Sequence, residues 1–287
     1  MACIDFNTAR EQLIAALDAH NEHSESMAQA TLIIEYIANT TIDFATKFDY
    51  SKMLTESQEA ILADALDKVA KVTPVQYITN IAYFGNTSFY VDDRVLIPRQ
   101  ETAELCHHIY KQHHKQANLR IIDIACGSGC IGIYLKKMLP QAVVTCLDVS
   151  ADALEVAKIN AAQHKVDILF VQSDILDVKA LPDQYDIIVS NPPYVCLSEK
   201  ESMHANVVKH EPHLALFVPD DNALIFYEKI ATLAEEGLAR NGVIYFEINQ
   251  QLHKQITQML SASGFTDAEA WQDMYGNYRF AKCTNPH

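Results

Sequence analysis

The feature that most constrains the fold is a regular alternation of short apolar segments with helical segments, which begins near residue 120. The apolar segments are four or five residues long and rich in Ile and Val, which is typical of strands buried on both faces of a sheet. Such alternation predicts a doubly wound α/β sheet. The predicted strands are residues 120–124, 143–147, 168–171, 186–189, 242–246 and 279–283, and the predicted helices between them include 151–164, 224–239 and 251–263.

The segment before this alternation has a different pattern, and we interpret residues 1–73 as a separate helical domain. Apolar residues such as Leu17, Ile33 and Ile37 recur at helical spacing, and residues 5–72 contain no glycine. Thr55-Glu-Ser-Gln58 is typical of a capping box at the start of a helix. The sequence therefore predicts a small amino-terminal helical bundle.

Residues 74–98 are predicted to form a β-hairpin linker, and residues 99–287 to form the α/β domain. The linker contains the turn candidates Gly85-Asn86 and Asp92-Asp93. Its short β-like pieces are residues 77–79, 83–84, 88–91 and 95–97.

The first predicted strand of the α/β domain ends in a glycine-rich loop. Glycines at a strand-to-helix turn allow a ligand to approach the backbone closely and expose amide N–H groups. The loop is therefore a candidate nucleoside-cofactor site. Its predicted cofactor-binding residues are Asp123, Ala125, Cys126, Gly127 and Gly129.

The next two strands end in acidic residues that complete this candidate site. Asp148 follows the second strand, where its carboxylate can accept hydrogen bonds from both hydroxyls of a ribose. Asp174 follows the third strand, where its carboxylate can accept a hydrogen bond from an adenine amino group, and Ile175 can pack on the adenine ring. Both aspartates also suit ordinary helix capping.

Two nucleoside cofactors compete for this site, a dinucleotide and S-adenosylmethionine. The segment from Gly127 to Gly132 nominally fits the Gly-x-Gly-x-x-Gly pattern of dinucleotide sites. Asp123, however, is placed to bind the ammonium of a methionine group. We therefore favour S-adenosylmethionine, also because of the motif that follows the fourth strand.

That motif is Asn191-Pro192-Pro193-Tyr194 at the carboxyl end of a predicted strand, where open α/β sheets bind ligands. A planar amide or amino nitrogen is a poor nucleophile, so an enzyme must hold its hydrogens and aim it at an electrophilic methyl group. The Asn191 side-chain carbonyl and the Pro192 backbone carbonyl are predicted to hold it. The prolines favour an extended backbone that leaves that carbonyl free. Tyr194 would stack on the planar group, and Asn191 would also lie beside the cofactor.

Composition excludes several classes of protein. The net charge of −15 disfavours binding to a phosphate backbone and favours a protein partner. Neither a signal-like amino terminus nor a run of 18 apolar residues occurs. We therefore expect a cytoplasmic protein with no membrane contact and no direct nucleic-acid partner.

Cysteine and histidine usage predicts reduced thiols and no metal site. The seven cysteines contain no Cys-x-x-Cys pair. The pairs His107-His108 and His113-His114 are possible metal ligands, but on a polar helix they are more often solvated.

The chain resembles the release-factor glutamine methyltransferases of the PrmC/HemK family over nearly its whole length. The residues that carry the resemblance are Pro74–Ile78, Val95–Thr102, Asp123–Gly129, Asp148, Ser173-Asp174, Asn191–Tyr194, Glu211-Pro212, Tyr245–Gln250 and Gly264-Phe265. The resemblance implies a five-helix-like recognition domain, a hairpin linker and a seven-stranded, Rossmann-like methyltransferase domain. It also implies methylation of the glutamine side chain in the Gly-Gly-Gln motif of peptide chain release factors. We further expect a monomer.

Four residues differ from the family's usual pattern. Ala125 replaces a common glycine, Gln100 the proline after Arg99, Ala103 an acidic residue, and Asn249 a glycine. Two roles therefore remain open for Arg99 and Glu101: they position the cofactor, or they stabilise the linker.

Three rival functions remain open at this point. The Asn-Pro-Pro-Tyr motif also occurs in amino methyltransferases that act on nucleic acid. A methyltransferase that modifies glutamine in another protein would have the same motif, and a non-catalytic scaffold would retain the same fold.

Overall fold

The computed structural model describes residues 4–40 and 48–287, and within it the chain forms two compact units. The first consists of the described residues of Met1–Ile81 together with His204–His210, and the second of Ala82–Met203 with Glu211–His287. The first unit thus includes residues 74–81 of the predicted linker and residues 204–210 of the predicted α/β domain. No helix in the described ranges is both long and apolar enough to cross a membrane.

The helices follow the predicted organisation in most places. In chain order they are α1 (Phe6–Leu17), α2 (His23–Ala38), α3 (Glu56–Ala70), α4 (Val75–Thr79), α5 (Gln100–His113), α6 (Cys130–Met138), α7 (Ala151–His164), α8 (Ala205–His210), α9 (Ile225–Gly237) and α10 (His253–Ala262). The first four helices and α8 belong to the first unit.

The strands form one large sheet and two small ribbons. They are β1 (Ile81–Phe84), β2 (Thr87–Tyr90), β3 (Arg120–Ile124), β4 (Val143–Asp148), β5 (Leu169–Gln172), β6 (Tyr185–Ser190), β7 (Val195–Cys196), β8 (Phe217–Val218), β9 (Leu238–Glu247), β10 (Thr266–Gln272) and β11 (Tyr278–Thr284). The β1–β2 hairpin lies within the predicted linker, and β7 pairs with β8.

The first unit is a helical bundle with its own apolar core. The core contains Leu13, Ile33, Ile34, Leu62 and Val69, which are at most 3% exposed. Thr55 and Gln58 form the predicted capping box at the start of α3. The part of the predicted helical module at residues 41–47 lies outside the described residues.

The second unit is a seven-stranded sheet in the order β10-β11-β9-β6-β3-β4-β5. Strands β9, β6, β3, β4 and β5 are parallel, whereas β11 is antiparallel to β9 and β10. The chain proceeds outward from β3 through β4 to β5 and then returns to β6 on the other side of β3. This reversal creates a crevice at the carboxyl ends of β3 and β6, where ligands bind in such folds.

Apolar cores cover both faces of the sheet. One face packs against α5, α6 and the hairpin, through residues such as Ile109, Ile133 and Phe84. The other packs against α9 and α10, through residues such as Ile230 and Ile256. The central strands are therefore buried on both faces, and their carboxyl ends lead into the loops that border the crevice.

Three local predictions were wrong. Residues 77–79 are helical because α4 begins after Pro74 and ends before Asn80, the C-cap residue, which has a left-handed conformation. Residues 95–97 form no strand, and the Ile97 amide donates instead to the Glu211 side chain. The edge strand β10 was missed because Thr266–Gln272 has no apolar run.

Candidate active site

The loop between β3 and α6 turns sharply beside the crevice. Ala125, Gly127 and Gly129 have φ angles of +60°, +52° and +75°. A Cβ atom on Gly127 would meet nothing within 4 Å, whereas one on Gly129 would lie 3.0 Å from the Cβ of Ala157. Gly127 thus leaves space open to a ligand, and Gly129 allows α7 to pack closely. Ala125 adopts a left-handed conformation that costs most L-residues about 1–2 kcal/mol.

Asp148, at the end of β4, is bonded to this loop. Its Oδ2 accepts from the Gly127 amide at 2.8 Å, and its Oδ1 accepts from the Ser150 amide at 2.9 Å. Burial raises the pKa of the Asp148 carboxyl, and these two amide hydrogen bonds oppose the rise. The carboxylate therefore holds two neighbouring loops together and still has lone pairs for ligand hydroxyls.

Asp123 is fully buried on β3. Its Oδ2 accepts from the Gly132 amide at 2.9 Å, whereas its Oδ1 has no hydrogen-bond partner. Burial raises the pKa of Asp123 to about 8, and the nearby Asp148 charge adds to the rise. An unpartnered buried oxygen of this kind favours a cation nearby.

The third predicted element of the cofactor site follows β5. The Ser173 amide donates to the Asp148 carbonyl at 3.0 Å, which brings the two strand ends together. Asp174 accepts from the Leu176 amide at 2.9 Å, and the apolar side chain of Ile175 is 5% exposed. This segment therefore contributes one carboxylate and one apolar surface to the crevice.

Asn191, directly after β6, belongs to a hydrogen-bonded chain. Its Nδ2 donates to the Thr102 hydroxyl at 3.3 Å, and that hydroxyl bonds to Glu247 Oε2 at 2.5 Å. Tyr194 donates to Glu247 Oε1 at 3.0 Å. Burial raises the pKa of Glu247, and its bonds to Thr102 and Tyr194 oppose the rise, as does the charge of Arg279.

The backbone after the prolines is held by Asn249, one of the unusual residues. Its Nδ2 donates to the Tyr194 carbonyl at 3.2 Å and to Glu199 Oε2 at 2.9 Å. Its Oδ1 accepts from the Gln251 amide at 3.0 Å. A glycine at this position would lack all three bonds, so Asn249 supports the Asn-Pro-Pro-Tyr segment directly.

Arg99 is paired across the fold with Glu211. Its Nη2 lies 2.5 Å from Glu211 Oε1, while Glu211 Oε2 accepts from the Ile97 amide at 3.1 Å. The Glu211 side chain is 1% exposed. These bonds fix the segment before α5 against one side of the crevice.

Gln100, the first residue of α5, holds the β1–β2 hairpin. Its Nε2 donates to the Tyr83 carbonyl at 2.8 Å, and its Oε1 accepts from the Gly85 amide at 3.2 Å. A proline fits the first position of a helix well but could make neither bond. Gln100 therefore lacks the fixed backbone of a proline but connects α5 to the hairpin through two side-chain hydrogen bonds.

Asn160 on α7 connects the hairpin to the glycine loop. Its Oδ1 accepts from the Tyr90 amide at 2.7 Å, and its Nδ2 donates to the carbonyls of Tyr90 and Ser128, both at 3.0 Å. The side chain is completely buried. One amide group therefore anchors both a strand and the candidate cofactor loop.

These segments enclose a cleft of about 220 Å³. Eight of the predicted site residues line it, and the other four, Asp123, Gly129, Pro192 and Tyr194, do not. Arg99 and Thr102 line it as well, whereas Glu101 does not. The eight predicted lining residues are Ala125, Cys126, Gly127, Asp148, Asp174, Ile175, Asn191 and Pro193.

The histidines of α5 are not all solvated, which corrects the sequence interpretation. His113 is buried and its Nε2 lies 2.9 Å from the Tyr245 hydroxyl, while His108 packs against Trp271 with ring centroids 4.7 Å apart. Burial lowers the pKa of both rings. Across the described ranges, no three His, Cys, Asp or Glu side chains are grouped as a metal site would require.

Six of the seven cysteines lie in the described part of the chain, and all six are free thiols. Cys3 falls outside it. Cys106, Cys126, Cys130 and Cys146 are buried close to Asp123, and burial contributes to raising the pKa of each of these thiols. A raised pKa keeps a thiol protonated and unreactive, so these side chains act as small apolar groups.

Comparison with known proteins identifies the family. The family described as Methyltransferase small domain matches residues 101–215. The release factor glutamine methyltransferase of Flavobacterium psychrophilum is 48% identical over 212 residues, which cover 73% of this chain and 74% of that protein. The enzyme of the same name from Bacteroides thetaiotaomicron is 40% identical over 228 residues, covering 79% and 81%.

The chain belongs to the release factor glutamine methyltransferase family. A solved methyltransferase from Pyrococcus furiosus shares the fold, with a TM-score of 0.52 at 14% identity over 81% of this chain and 99% of that one. The predicted doubly wound, seven-stranded methyltransferase fold is thus confirmed.

Sequence reasoning missed the roles of four residues in this family member. Thr102, Glu211 and Glu247 lie within the segments that carry the resemblance, but their partners are far away in the sequence. The importance of Asn160 could have been predicted from the sequence, because it follows Ala153, Val156 and Ala157 at helical spacing on the buried face of α7. A polar residue on such a face usually has a specific partner.

Proposed function

We propose that this protein transfers a methyl group from S-adenosylmethionine to the side-chain nitrogen of the glutamine in the Gly-Gly-Gln motif of peptide chain release factors. The observation that carries the proposal is that Asn191 and Pro193 line the same cleft as Gly127 and Asp148. A methyl donor and a planar amide bound in this cleft would lie side by side. Membership of the family supports the choice of substrate.

The residues present suit S-adenosylmethionine. Asp148 has free lone pairs for the ribose hydroxyls, and Asp174 with Ile175 suits an adenine ring. Gly127 leaves open space beside the backbone. The unpartnered Asp123 oxygen favours the positive charge of a methionine ammonium, although Asp123 itself does not line the cleft.

The residues of the chain contribute mainly orientation to the reaction. When bound, S-adenosylmethionine supplies an electrophilic methyl group on a sulfonium. Asn191 and the Pro192 carbonyl would accept hydrogen bonds from the substrate amide and aim its nitrogen at that carbon. Transfer would replace one N–H bond of the substrate amide by an N–CH₃ bond, with the proton released to solvent and S-adenosylhomocysteine as the other product. Correct orientation of this kind lowers a barrier by several kcal/mol.

The nature of the partner follows from size and charge. A glutamine in a release factor is presented by a folded protein, so recognition would extend beyond the cleft. The net charge of −15 favours a basic protein surface over nucleic acid. We propose that the enzyme acts as a monomer on this protein, without direct contact to RNA, DNA or membrane.

A transfer assay tests this function. The purified protein is incubated with labelled S-adenosylmethionine and a release factor, or with the same factor carrying Gly-Gly-Ala. We expect one methyl group on the Gly-Gly-Gln peptide by mass spectrometry and none on the variant. Label on both factors, or label on added RNA instead, would contradict the proposal.

A further inference from the structure

A chain of hydrogen bonds connects the Asn191 carboxamide to a buried carboxylate, that of Glu247. Glu247, at the end of β9, is 2% exposed, and two hydroxyl groups converge on its carboxylate. The Thr102 hydroxyl lies 2.5 Å from Oε2, and the Tyr194 hydroxyl lies 3.0 Å from Oε1. Asn191 lies on the far side of Thr102 and contacts its oxygen through Nδ2 at 3.3 Å.

The direction of these hydrogen bonds follows from what each group can donate. An ionised carboxylate can only accept, so Thr102 directs its single hydrogen to Glu247. The Thr102 oxygen is then only an acceptor on its other side, and the group facing it must be the NH₂ of Asn191. The Asn191 oxygen is consequently left for another donor, and within the described part of the chain it makes no hydrogen bond.

Burial raises the pKa of Glu247, but the hydrogen-bond geometry around its carboxylate suits the ionised form. Each of its two oxygens faces a hydroxyl group that can donate to it, and the charge of Arg279 on β11 opposes the rise. A protonated Glu247 could donate to Thr102, which would then donate to Asn191 and reverse the carboxamide. The negative charge of Glu247 therefore decides whether the cleft meets an oxygen or an NH₂ group.

We propose that Thr102 and Glu247 are positioning residues that hold the Asn191 oxygen toward the substrate and thereby select a carboxamide over a carboxylate. This inference rests on the proposed function. An oxygen at that point accepts from the NH₂ of glutamine but repels the carboxylate of glutamate. A reversed carboxamide would do the opposite, because its NH₂ would donate to glutamate.

The test compares Thr102→Val with Thr102→Ser. Valine has nearly the same shape but no hydroxyl, whereas serine keeps the hydroxyl. Two quantities are measured for each variant: kcat with a Gly-Gly-Gln release factor, and inhibition by the same factor carrying Gly-Gly-Glu. We expect Thr102→Val to lower kcat by at least ~30-fold and to strengthen inhibition by the Glu factor by about 10-fold. Thr102→Ser should recover kcat to within about 3-fold of wild type and retain weak inhibition.

Binding of S-adenosylhomocysteine, measured by calorimetry, shows whether each variant is folded. Should Thr102→Val fail to fold, Glu247→Gln provides the second test, because a neutral amide can donate to Thr102 and should also strengthen inhibition by the Glu factor. Loss of kcat without stronger inhibition would overturn the inference, as would identical behaviour of the valine and serine variants. Wild-type protein that binds the nucleoside but methylates no Gly-Gly-Gln factor would instead refute the proposed function.

Discussion

In the proposed reaction, Asn191 is the residue that contacts the substrate amide most directly. Replacing it with alanine removes the acceptor proposed to hold the amide, so we expect Asn191→Ala to reduce methyl transfer by at least ~100-fold. Affinity for S-adenosylhomocysteine should change little, because Gly127, Asp148 and Asp174 remain. Single-turnover kinetics with a release factor and calorimetry measure the two effects. Asn222→Ala, at an exposed position, is the matched control, and wild-type turnover in Asn191→Ala would refute the assigned role.

Asp123 should make the stability of the ligand-free protein depend on pH. Its folded-state pKa of about 8 lies above the ordinary value of 3.8, so the folded state keeps a proton that the unfolded state releases between these values. The free energy of unfolding should therefore fall as pH rises through this window. Asp123→Asn lacks the titrating group. Any loss of stability that the substitution causes at every pH does not affect the comparison, because the change with pH is measured separately for each protein.

Thermal unfolding between about pH 5 and pH 8 measures this effect. We expect the melting temperature of the wild type to fall by roughly 5 °C more than that of Asp123→Asn. Asp177→Asn, at an exposed position, should behave like the wild type. Parallel curves for wild type and Asp123→Asn would show that Asp123 does not titrate in this range.

Among the secondary-structure elements, α7 has a role beyond packing because Asn160 anchors two neighbours. Asn160→Asp keeps the shape but replaces the donor to the Tyr90 and Ser128 carbonyls with a buried acceptor. We expect it to lower the free energy of unfolding by roughly 2–4 kcal/mol and to weaken S-adenosylhomocysteine binding, since the glycine loop loses its anchor. Urea denaturation and calorimetry measure both changes. Gln163→Glu adds the same charge to an exposed site on the same helix and should have little effect.

The elements that could be predicted from the sequence are those whose pattern is local. The strands from β3 to β6 were predicted because each is a short, mostly apolar segment, and the loops beyond them were expected at one edge of the sheet. In contrast, β10 has alternating small and charged residues, since an edge strand needs little apolar surface. The three residues of 77–79 favour a strand individually, but Pro74 and Asn80 set the helix that contains them.

For the candidate site, the sequence predicted residues that line the cleft but not the residues that support them. Asp148, Asp174 and Asn191 follow strands directly, so the topology alone places them in the crevice. The most distant hydrogen-bond partners of Thr102, Glu211 and Asn160 are 145, 114 and 70 residues away in the sequence, and these contacts depend on the completed fold. Such pairs leave no periodic pattern in a single sequence.

At the scale of the whole molecule, the acidic surface should influence recognition of a protein substrate. If the release factor presents a basic face, the KM for that protein should rise about 3- to 10-fold between about 50 and 300 mM NaCl, because salt screens long-range attraction. The KM for a short neutral peptide containing Gly-Gly-Gln should change little. Steady-state kinetics with both substrates make the comparison, and equal salt dependence would argue against electrostatic recognition of the protein.

Helix α8 has a consequence for biosynthesis. It belongs to the first unit, where Lys209 and His210 contact the carbonyl of Lys71 just after α3. A ribosome therefore completes α1 to α4 roughly 120 residues before it adds α8, a delay on the order of 10 s at ordinary rates of synthesis. During that interval the nascent amino-terminal bundle lacks its last helix, so a chaperone or protease would encounter an unfinished surface that the released protein no longer presents.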